Sequence, residues 1–516
     1  MSNESQTKAE IEPGTGGGDS PAAKIAAARP AQAVWAARSY RERAACLRKS
    51  LEYLGSHIDE ITETIHRENG KLKTDALAAE VLPALMAARY YIRRGRRFCA
   101  PGRTGGGSLL MFNKQSRLVY KPYGVVGIIS PWNYPFAIPF SEVMMALLAG
   151  NAVILKVASA VPGVGRILEA LFNAAELPAG LFNYVEMPGR EAGPAFIRGG
   201  VDKLFFTGSS ATGRELMALA AEKLLPLVLE LGGADAAIIC DDADQDRAAR
   251  GMLWAGFSNA GQSCGGVQRI LVHEKIYRPF LEKFCALVRE LKPGGGSGAD
   301  LGPMATLRQK EVVQKQIDAC LACGAEIAAQ SGGAPLNPEP DTEDRFLPAT
   351  VLTGVTVAMP VMNAEIFGPV VAALPFRDDA EALSLANASS YGLTGSVWSR
   401  NSRRAKRLAA GINAGAVMIN DHLMSHGLAE TPWGGFGDSG IGRTHGELGF
   451  REMLKVQVVV NDILPLVKRD LFWHPYTEKV YRGIRAIAGL LGGQTLASRL
   501  KALPGVLRIF FRYWEK

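Results

Sequence analysis

Residues 205–216 read FFTGSSATGREL, a stretch that combines the features of a strand, a turn and a helix. Its aromatic start is typical of a strand, the Gly and Ser residues that follow are typical of a tight turn, and ATGREL begins a helical pattern. Gly208 and Gly213 stand in a GxxxxG spacing, and backbone amides at such a helix start can hold a pyrophosphate. The stretch differs from the usual GxGxxG dinucleotide pattern and lacks the lysine of a nucleotide-triphosphate loop. A plain strand–helix turn is therefore an equally good interpretation of this stretch alone.

The same alternation continues on both sides of this stretch. Short apolar strands that alternate with helical segments indicate a parallel sheet with crossover helices. The predicted strands of a first segment are AVILKV (152–157), LFNYVE (181–186), KLFFTG (203–208) and PLVLELGG (226–233). Those of a second segment are DAAIIC (235–240), RILVHE (269–274) and AGAVMIN (414–420). The predicted fold class is therefore α/β.

Length and composition place the chain among globular proteins of more than one domain. Its 516 residues are too many for one hydrophobic core, and 47% of them are hydrophobic and 21% charged. The formal net charge is +8. Residues 467–516 hold most of that charge, because they contain ten Lys or Arg and three Asp or Glu. The remainder is close to neutral, which argues against a nucleic-acid-binding surface there.

The seven cysteines form no regular disulfide framework. Cys320 and Cys323 form one CxxC, but no second CxxC or histidine pair completes a zinc site, so we predict no metal. Residues 1–30 are predicted to be a disordered leader, since the N-terminal stretch is rich in Gly, Ser and Glu and lacks a secretory signal pattern. No apolar run reaches the roughly 18 residues of a membrane span. These features favour a cytoplasmic protein.

The basic C-terminal segment, residues 467–516, carries a second signal. In EKVYRGIRAIAGLLG (478–492), apolar residues recur at helical spacing and basic residues lie off that stripe. RLKALPGVLRIFFRYWEK (499–516) adds Leu, Ile, Phe and Trp among further basic residues. A basic amphipathic helix with aromatic residues is typical of peripheral contact with a membrane, here the inner membrane surface. Packing on the protein's own body or on another subunit explains the stripe equally well.

The stretch NAGQSCGGVQR (259–269) places one cysteine, Cys264, between polar residues and two glycines. A buried structural cysteine would more often stand among Val, Leu and Ile. Glycine costs backbone entropy on folding and is tolerated where a side chain must stay uncrowded. Cys264 is therefore either core filler or a nucleophile, and this stretch alone does not decide between them.

Two further stretches place polar groups at strand ends. In LELGGADA (229–236), Glu230 follows an apolar run and precedes two glycines, where a carboxylate could serve as a general base. A capping or salt-bridging role is the usual alternative. SPWNYPF (130–136) ends a strand in a turn that contains Asn133, whose amide could donate to an oxyanion. Asn before Tyr-Pro is also ordinary turn chemistry.

Taken together and in order, these motifs resemble those of the NAD(P)-dependent aldehyde dehydrogenase superfamily. The motifs are SPWNYP, LKVAS, FTGSSATG, LELGG, GQSC, EIFGPVV and PWGGFGDSG. The resemblance covers residues 31–461, and Glu230 precedes Cys264 by 34 residues, as in members of the family. It implies that Cys264 is the nucleophile, that Asn133 and the Cys264 amide stabilise the oxyanion, and that Glu230 activates the hydrolytic water. It also matches Glu447 to a second acidic residue on a proton path.

The resemblance further implies a site for NAD or NADP. The residues it matches to that site are Trp132, Lys156, Ser159, Gly208, Ser209, Gly213, Glu365 and Phe367. In KVAS (156–159), Ser159 stands where the family often has a glutamate that repels a 2′-phosphate. Without that like-charge repulsion NADP should be accepted. The sequence leaves open whether NADP is preferred to NAD.

The resemblance also bears on the substrate. Ser141 stands where succinic semialdehyde dehydrogenases carry the arginine that binds the substrate carboxylate, which disfavours an anionic aldehyde. Tyr134, Phe136 and Phe140 are expected to form an apolar entrance for an aliphatic or aromatic aldehyde. A semialdehyde dehydrogenase is the alternative. A catalytically retired scaffold or a CoA-acylating enzyme is disfavoured because the catalytic set, with its base Glu230, is intact.

The domain organisation is also implied by the resemblance. A disordered leader covers 1–30, a Rossmann-like cofactor domain covers 31–110 and 124–231, and a second α/β domain that carries the catalytic residues covers 232–447. A small β oligomerisation arm comprises 111–123 and 448–462, and a helical extension follows over 463–516. The arm implies a homodimer or homotetramer.

Overall fold

The computed structural model describes residues 20–104, 109–339, 342–464, 466 and 468–514. Within these residues the α-helices are α1 (Pro21–Ala37), α2 (Tyr40–Ser56), α3 (Ile58–Asn69), α4 (Lys73–Ala76), α5 (Leu82–Cys99), α6 (Ala137–Ala149), α7 (Pro162–Asn173), α8 (Gly189–Gly199), α9 (Ser210–Ala221), α10 (Gln245–Phe257), α11 (Glu274–Glu290), α12 (Leu307–Ala322), α13 (Pro360–Asn363), α14 (Asp379–Ala386), α15 (Ser402–Gly411), α16 (Met424–Gly427), α17 (Gly446–Arg451), α18 (Glu478–Gly492) and α19 (Leu496–Phe510). A π-helical turn, Leu77–Val81, connects α4 to α5.

The strands of the described residues are β1 (Gly102–Arg103), β2 (Lys114–Pro122), β3 (Val125–Ile129), β4 (Ala152–Lys156), β5 (Phe182–Tyr184), β6 (Lys203–Thr207), β7 (Leu227–Glu230), β8 (Asp235–Ile239), β9 (Val267–His273), β10 (Glu326–Gln330), β11 (Thr350–Thr353), β12 (Val370–Phe376), β13 (Tyr391–Gly392), β14 (Thr394–Trp398), β15 (Ala416–Ile419), β16 (Phe436–Gly437), β17 (Gly440–Ile441) and β18 (Leu454–Asp462). Contacts divide the chain into two compact units. One comprises Met1–Cys99 and Lys121–Lys455, and the other comprises Ala100–Tyr120 and Val456–Lys516.

The first large sheet of the first unit has the strand order β17-β7-β6-β3-β4-β5. Its members pair in parallel, apart from β17, which runs antiparallel to β7. The chain enters at β3, adds β4 and β5 on one side, and then adds β6 and β7 on the other. This reversal is the topological switch point at which α/β sheets bind ligands, outside the carboxyl ends of the strands. The α/β class and the Rossmann-like sheet are therefore as predicted.

The second large sheet has the order β10-β11-β12-β9-β8-β14-β15, parallel except for β10. Its central strands are buried, as expected for a sheet covered on both faces. Every residue of β8 and β9 is buried. The strands change from one sheet to the other between Glu230 and Asp235. Both sheets lie in one unit, so the predicted division into cofactor and catalytic domains stays a prediction.

The N-terminal end of the described chain corrects one expectation. The predicted leader extends to residue 30, yet α1 begins at Pro21, with the hydroxyl of Ser20 accepting from the Ala23 amide at 3.2 Å. Ile25 and Trp35 are buried, and Trp35 donates to the Leu147 carbonyl at 2.8 Å. Residues 21–30 are therefore part of a packed helix and do not belong to a disordered leader. Residues 1–19 of the leader lie outside the described residues.

The second unit contains a small sheet and two helices. The sheet has the order β1-β2-β18, so β18 stands at its edge. The two helices, α18 and α19, follow β18 in the chain. In the described part of the chain, no helix combines the length and the apolar character needed to cross a bilayer.

Candidate active site

A cleft in the first unit lies at the switch point of the first sheet. Residues that follow β3, β6 and β7 line it from one side. Residues that precede β9 and β12 line it from the other. Asn133, Glu230 and Cys264 all line this cleft, so the structure brings together the three residues predicted to be catalytic.

Cys264 lies just before β9, on a segment with unusual backbone geometry. The preceding residues Asn259, Ala260 and Gly261 all have positive φ, at 53°, 54° and 68°. Left-handed geometry at consecutive non-glycine residues is costly and is found most often at functional sites. The segment is held by Gln262, whose side chain donates to the Asn259 carbonyl at 3.0 Å and accepts from the Ala305 amide at 2.9 Å. Gln262 therefore positions the turn that presents the thiol.

The glycine after the cysteine has a packing reason as well as a chemical one. A Cβ at Gly265 would lie 2.6 Å from the indole of Trp433 and 3.0 Å from the Thr394 methyl group. Any larger residue would therefore displace Trp433, which lines the opposite approach to Cys264. The sequence predicted only that glycine keeps the thiol uncrowded.

Asn133 is fixed in place through its side chain and its backbone. Its amide nitrogen donates to the Gln262 carbonyl at 3.1 Å, and Asn259 donates to the Asn133 carbonyl at 3.1 Å. The ammonium of Lys71 donates to the same carbonyl at 2.7 Å. An amide has two N–H donors, so one is left for a ligand atom in the cleft.

The Lys71 contact belongs to a buried ion pair that the sequence analysis missed. Lys71 and Glu80 are 2.6 Å apart and both side chains are fully buried. The other oxygen of Glu80 accepts from the Phe136 amide at 2.8 Å. Burying two charges is costly unless each polar atom has a hydrogen-bond partner. Such a pair therefore contributes more to holding the segment that contains Asn133 in position than to the stability of the fold. Glu80 lies in the π-helical turn, and such turns are common at functional sites. No sequence motif predicted this turn.

Burial controls the ionisation of the two reactive groups. It raises the pKa of the Cys264 thiol, and the neighbouring Glu365, Glu230 and Asp235 raise it further. Burial, followed by the nearby Glu142, also raises the pKa of Glu230 well above its ordinary value. Neither carboxyl oxygen of Glu230 has a hydrogen-bond partner among the described residues. A buried carboxyl group with free oxygens and a raised pKa is suited to exchange a proton with a thiol or a water.

Five of the residues predicted to bind the cofactor line the same cleft: Trp132, Gly208, Ser209, Glu365 and Phe367. Ser209 caps α9, where its hydroxyl accepts from the Thr212 amide at 3.3 Å. The rings of Trp132 and Phe367 meet edge to face, 5.3 Å apart. A helix start can hold a pyrophosphate, a carboxylate can accept from ribose hydroxyls, and aromatic walls can hold a flat ring. The residues present therefore fit a nicotinamide dinucleotide.

The other three predicted cofactor residues lie outside the lining of this cleft. Lys156 is buried at the end of β4, and burial lowers the pKa of its ammonium. Ser159 is exposed in the turn after β4 and donates to the Met187 carbonyl at 3.3 Å. Gly213 lies inside α9 against Leu231, where a Cβ would come within 2.8 Å of that side chain. Gly213 therefore serves helix–strand packing, while Lys156 and Ser159 border the switch point.

A second cleft reaches Cys264 from the opposite side and is mainly apolar. Its lining includes Leu82, Met86, Tyr134, Trp254, Met424 and Leu428. Five of these side chains are also exposed at its mouth, with Leu82 at 51% and Trp254 at 46%. Exposed apolar patches of this kind mark binding grooves. The charged residue of its lining is Asp75, and burial raises the pKa of that carboxyl group.

The structure corrects two of the three predicted entrance residues. Tyr134 lines the apolar cleft, but Phe136 and Phe140 are fully buried and line none of the clefts described here. They stack on each other at 5.6 Å, and Phe140 stacks on Phe172 at 5.8 Å. The reason is that every residue of α6 is buried, so its aromatic side chains fill the core.

A small third cavity beside Cys264 holds a carboxyl group that the sequence analysis missed. It is lined by Glu142, Glu230, Cys264, His426, Thr444 and His445, among others. Glu142 is buried in α6, and burial raises its pKa to about 8. The sequence did contain a hint of this group, because Glu142 is the one acidic residue of the mainly apolar helix AIPFSEVMMALLA. The predicted proton-path residue Glu447 instead pairs with Arg451 at 2.8 Å and does not line this cavity.

Comparison with known proteins gives one consistent result. The model of the aldehyde dehydrogenase family matches residues 13–459. A protein of Methylomonas sp. named 4,4'-diapolycopene aldehyde oxidase is 34% identical over 91% of this chain and 87% of its own length. A Mycolicibacterium smegmatis protein named "Putative succinate-semialdehyde dehydrogenase [NADP(+)]" is 36% identical over 91% of this chain and 90% of its own length.

Solved structures agree with the sequence relatives. Betaine aldehyde dehydrogenase from Staphylococcus aureus in complex with NAD+ superposes with a TM-score of 0.81 at 29% identity. That match covers 88% of this chain and 89% of the other. An NAD-dependent aldehyde dehydrogenase from Sinorhizobium meliloti gives a TM-score of 0.81 at 31% identity, covering 88% of each chain.

Proposed function

The chain belongs to the aldehyde dehydrogenase family, and from this we propose that it oxidises apolar aldehydes, aliphatic or aromatic, to carboxylic acids. The hydride acceptor is NAD or NADP. The observation that carries the choice of substrate is the apolar cleft that leads to Cys264 from the side opposite the cofactor cleft.

The proposed chemistry begins at Cys264. Its raised pKa means that the thiol keeps its proton in the free site, so a base must remove that proton as sulfur attacks the aldehyde carbon. Water in the open cleft takes this proton, and Glu230, which lines both the cofactor cleft and the small cavity, acts in the later hydrolysis step. The amide of Asn133 and the backbone amide of Cys264 then stabilise the oxyanion of the thiohemiacetal.

The residues that would hold the cofactor are Trp132, Gly208, Ser209, Glu365 and Phe367. When bound there, NAD or NADP supplies the nicotinamide that accepts the hydride, which leaves a thioester on Cys264. Glu230 then takes a proton from the water that hydrolyses this thioester, and the acid is released. Release by CoA is the less favoured alternative because the buried carboxylate beside the thiol can activate water.

The use of NADP is supported by Ser159. This side chain is exposed in the turn after β4 and brings no charge. A glutamate at this position would repel the 2′-phosphate of NADP. One relative is also named for NADP. We therefore propose that both cofactors serve.

The second candidate function is oxidation of an anionic semialdehyde, and the name of one relative favours it. The lining of the apolar cleft contains no Lys or Arg in the described residues, so a substrate carboxylate would lack a cationic partner. Lys71 lies 4.1 Å from the ring centre of Tyr134, but Glu80 and the Asn133 carbonyl occupy its ammonium. Ser141 is buried in α6 and offers no charge. These contacts support the apolar substrate.

Steady-state kinetics with decanal, benzaldehyde and succinic semialdehyde, each with NAD and with NADP, tests the proposal. We expect kcat/KM to be at least about ten-fold higher for the apolar aldehydes, about 1.4 kcal/mol or more. Met424→Glu should lower kcat/KM for decanal and leave that for acetaldehyde nearly unchanged. Leu224→Glu is the matched control, because Leu224 is 90% exposed and lines neither cleft. A preference for succinic semialdehyde would overturn the substrate assignment.

We also propose that copies associate through β18, as a homodimer or homotetramer. The support is the edge position of this strand and the exposure of its valines Val456, Val458, Val459 and Val460. An exposed apolar edge strand readily pairs with another chain.

We further propose a cytoplasmic location. The free cysteines of the described chain accord with a reducing compartment, and fractionation of cells would test this location.

A further inference from the structure

The two C-terminal helices form a hairpin with its own small core. A short turn joins α18 to α19, and Thr495 and Ser498 form a capping box that begins α19. The buried residues of this core are Leu471, Val480, Ile487, Val506, Ile509 and Tyr513. A Cβ at Gly483 would lie 2.7 Å from Ile509, so glycine allows the helices to approach closely. One apolar face of α19 is therefore used inside the hairpin.

The same helix carries a second apolar face that is exposed. Its residues recur every three or four positions and continue into the final turn: Leu496, Leu500, Leu503, Leu507, Phe511 and Trp514. All six are exposed, with Leu496 at 75%, Leu507 at 63% and Phe511 at 68%. The sequence analysis described a stripe in residues 478–492 and only apolar residues among basic ones in 499–516, whereas the structure separates a packed face of α19 from this outer face. We call these six residues the outer face.

Basic residues border the outer face on both sides. Lys501 and Arg508 are two turns apart on one side of it, and Arg499 lies on the other. Between Lys479 and Trp514 the sequence contains no Asp or Glu. Among the described residues no acidic side chain pairs with Arg485, Lys501 or Arg508. The outer face is therefore apolar in the middle and positive at its borders.

Aromatic residues with polar edges are also exposed in the second unit. Trp473, Tyr476 and Tyr481 are exposed at 57%, 66% and 62%. Trp514 ends the outer face and is exposed at 56%. Trp and Tyr are enriched where a protein meets the headgroup region of a bilayer, because their rings are partly apolar and partly polar.

We propose that the outer face of α19 lies on the surface of an anionic lipid bilayer. Its leucines and Phe511 would enter the boundary between headgroups and acyl chains, while Lys501 and Arg508 contact anionic headgroups. Charge favours this occupant over a second copy of the chain, since two copies of this surface would place like charges together. The attachment would lie in the plane of the interface, since no described helix is long and apolar enough to cross.

Vesicle co-sedimentation of the full-length protein tests this proposal. The probes are vesicles of phosphatidylcholine alone and of phosphatidylcholine with phosphatidylglycerol, at low and high salt. We expect binding to the anionic vesicles at low salt, and at least a ten-fold weaker partition coefficient at high salt or without phosphatidylglycerol.

Matched variants identify the surface. Leu500→Glu with Leu507→Glu should lower the partition coefficient at least ten-fold, and Lys501→Glu with Arg508→Glu should do the same on anionic vesicles only. Leu224→Glu, at an exposed position of the other unit, should bind as the unaltered protein does. Aldehyde oxidation in solution reports that each variant is folded.

Three results would overturn the proposal. The first is that the unaltered protein stays in the supernatant with anionic vesicles at low salt. The second is that the Leu500→Glu, Leu507→Glu protein binds the vesicles undiminished. The third is that these two substitutions change the mass of the assembly in sedimentation without vesicles. The last outcome would assign the outer face to contact between copies.

Discussion

Two carboxyl groups beside Cys264 share one small cavity, and this determines how the site titrates. Glu142 and Glu230 both line it, and Glu142 contributes to the raised pKa of Glu230. Ionising both carboxyl groups places like charges close together in a buried site, so the pair should lose its protons in two steps. Because hydrolysis needs ionised Glu230, kcat should therefore increase with pH in the alkaline range.

Glu142→Gln tests this coupling. Removing a negative neighbour favours ionisation of Glu230, so the rise of kcat with pH should move to lower pH. The effect should be largest above about pH 8, where Glu142 itself is ionised. Glu142→Asp should restore most of the original profile. A pH profile of Glu142→Gln that superimposes on that of the unaltered enzyme would show that Glu142 only fills space.

Single residues also show where sequence reasoning succeeds and where it cannot. Cys264, Glu230 and Asn133 were each ambiguous in their own motif, and the resemblance of the whole set of motifs to the family implied that they share one site. Phe136 and Phe140 share the apolar character of both a core and a pocket, and only tertiary packing distinguishes the two. Lys71 and Glu80 lie 53 or more residues before Asn133 in unremarkable sequence, and their pairing depends on how α3 and the π-helical turn meet.

At the scale of elements, β18 combines an exposed edge with an apolar surface. Val456, Val458 and Val460 lie on one face of this strand, because alternate residues share a face. An unpaired edge of this kind is stable in water mainly when another chain covers it. This is the structural basis of the proposed homodimer or homotetramer.

Val458→Lys with Val460→Lys should lower the mass of the assembly measured by sedimentation. Two ammonium groups at the strand edge oppose pairing with a second copy, since an identical edge would bring like charges together. Leu224→Lys introduces the same charge at an exposed position on the other unit and should leave the mass unchanged. If the unaltered protein already sediments as a monomer, the oligomerisation role of β18 is wrong.

The sequence predicted most elements because strong periodicities fix them locally. The alternation of short apolar strands with helices specified the first sheet, and its switch point follows from the strand order. The sequence did not predict the start of α1, because its alanine-rich segment has few large apolar residues and therefore a weak helical periodicity. In the structure Ile25 and Trp35 are buried and anchor this helix. The two faces of α19 were not separated in the sequence because both are apolar and only packing against α18 distinguishes them.

At the scale of the whole molecule, the first unit places the thiol where two clefts meet. The polar cleft at the switch point carries the residues suited to a dinucleotide, and the apolar cleft approaches from the other side. Cys264 and Glu230 line the same small cavity. A covalent intermediate formed on the thiol would therefore lie beside the carboxyl group that is proposed to activate water for its hydrolysis. Most of the net positive charge lies in residues 467–516, which belong to the second unit.

In the proposed mechanism the aldehyde is oxidised as a covalent adduct of Cys264, which is then hydrolysed with Glu230 as the base. Mass spectrometry of Glu230→Gln, quenched after mixing with benzaldehyde and NADP, tests this most directly. We expect a mass increase equal to one benzoyl group, mapped to the peptide that contains Cys264, together with turnover slowed by about a hundred-fold or more. Cys264→Ala should bind NADP and show neither adduct nor turnover. A Glu230→Gln enzyme that turns over at the original rate without an adduct, or an adduct on another residue, would contradict the account.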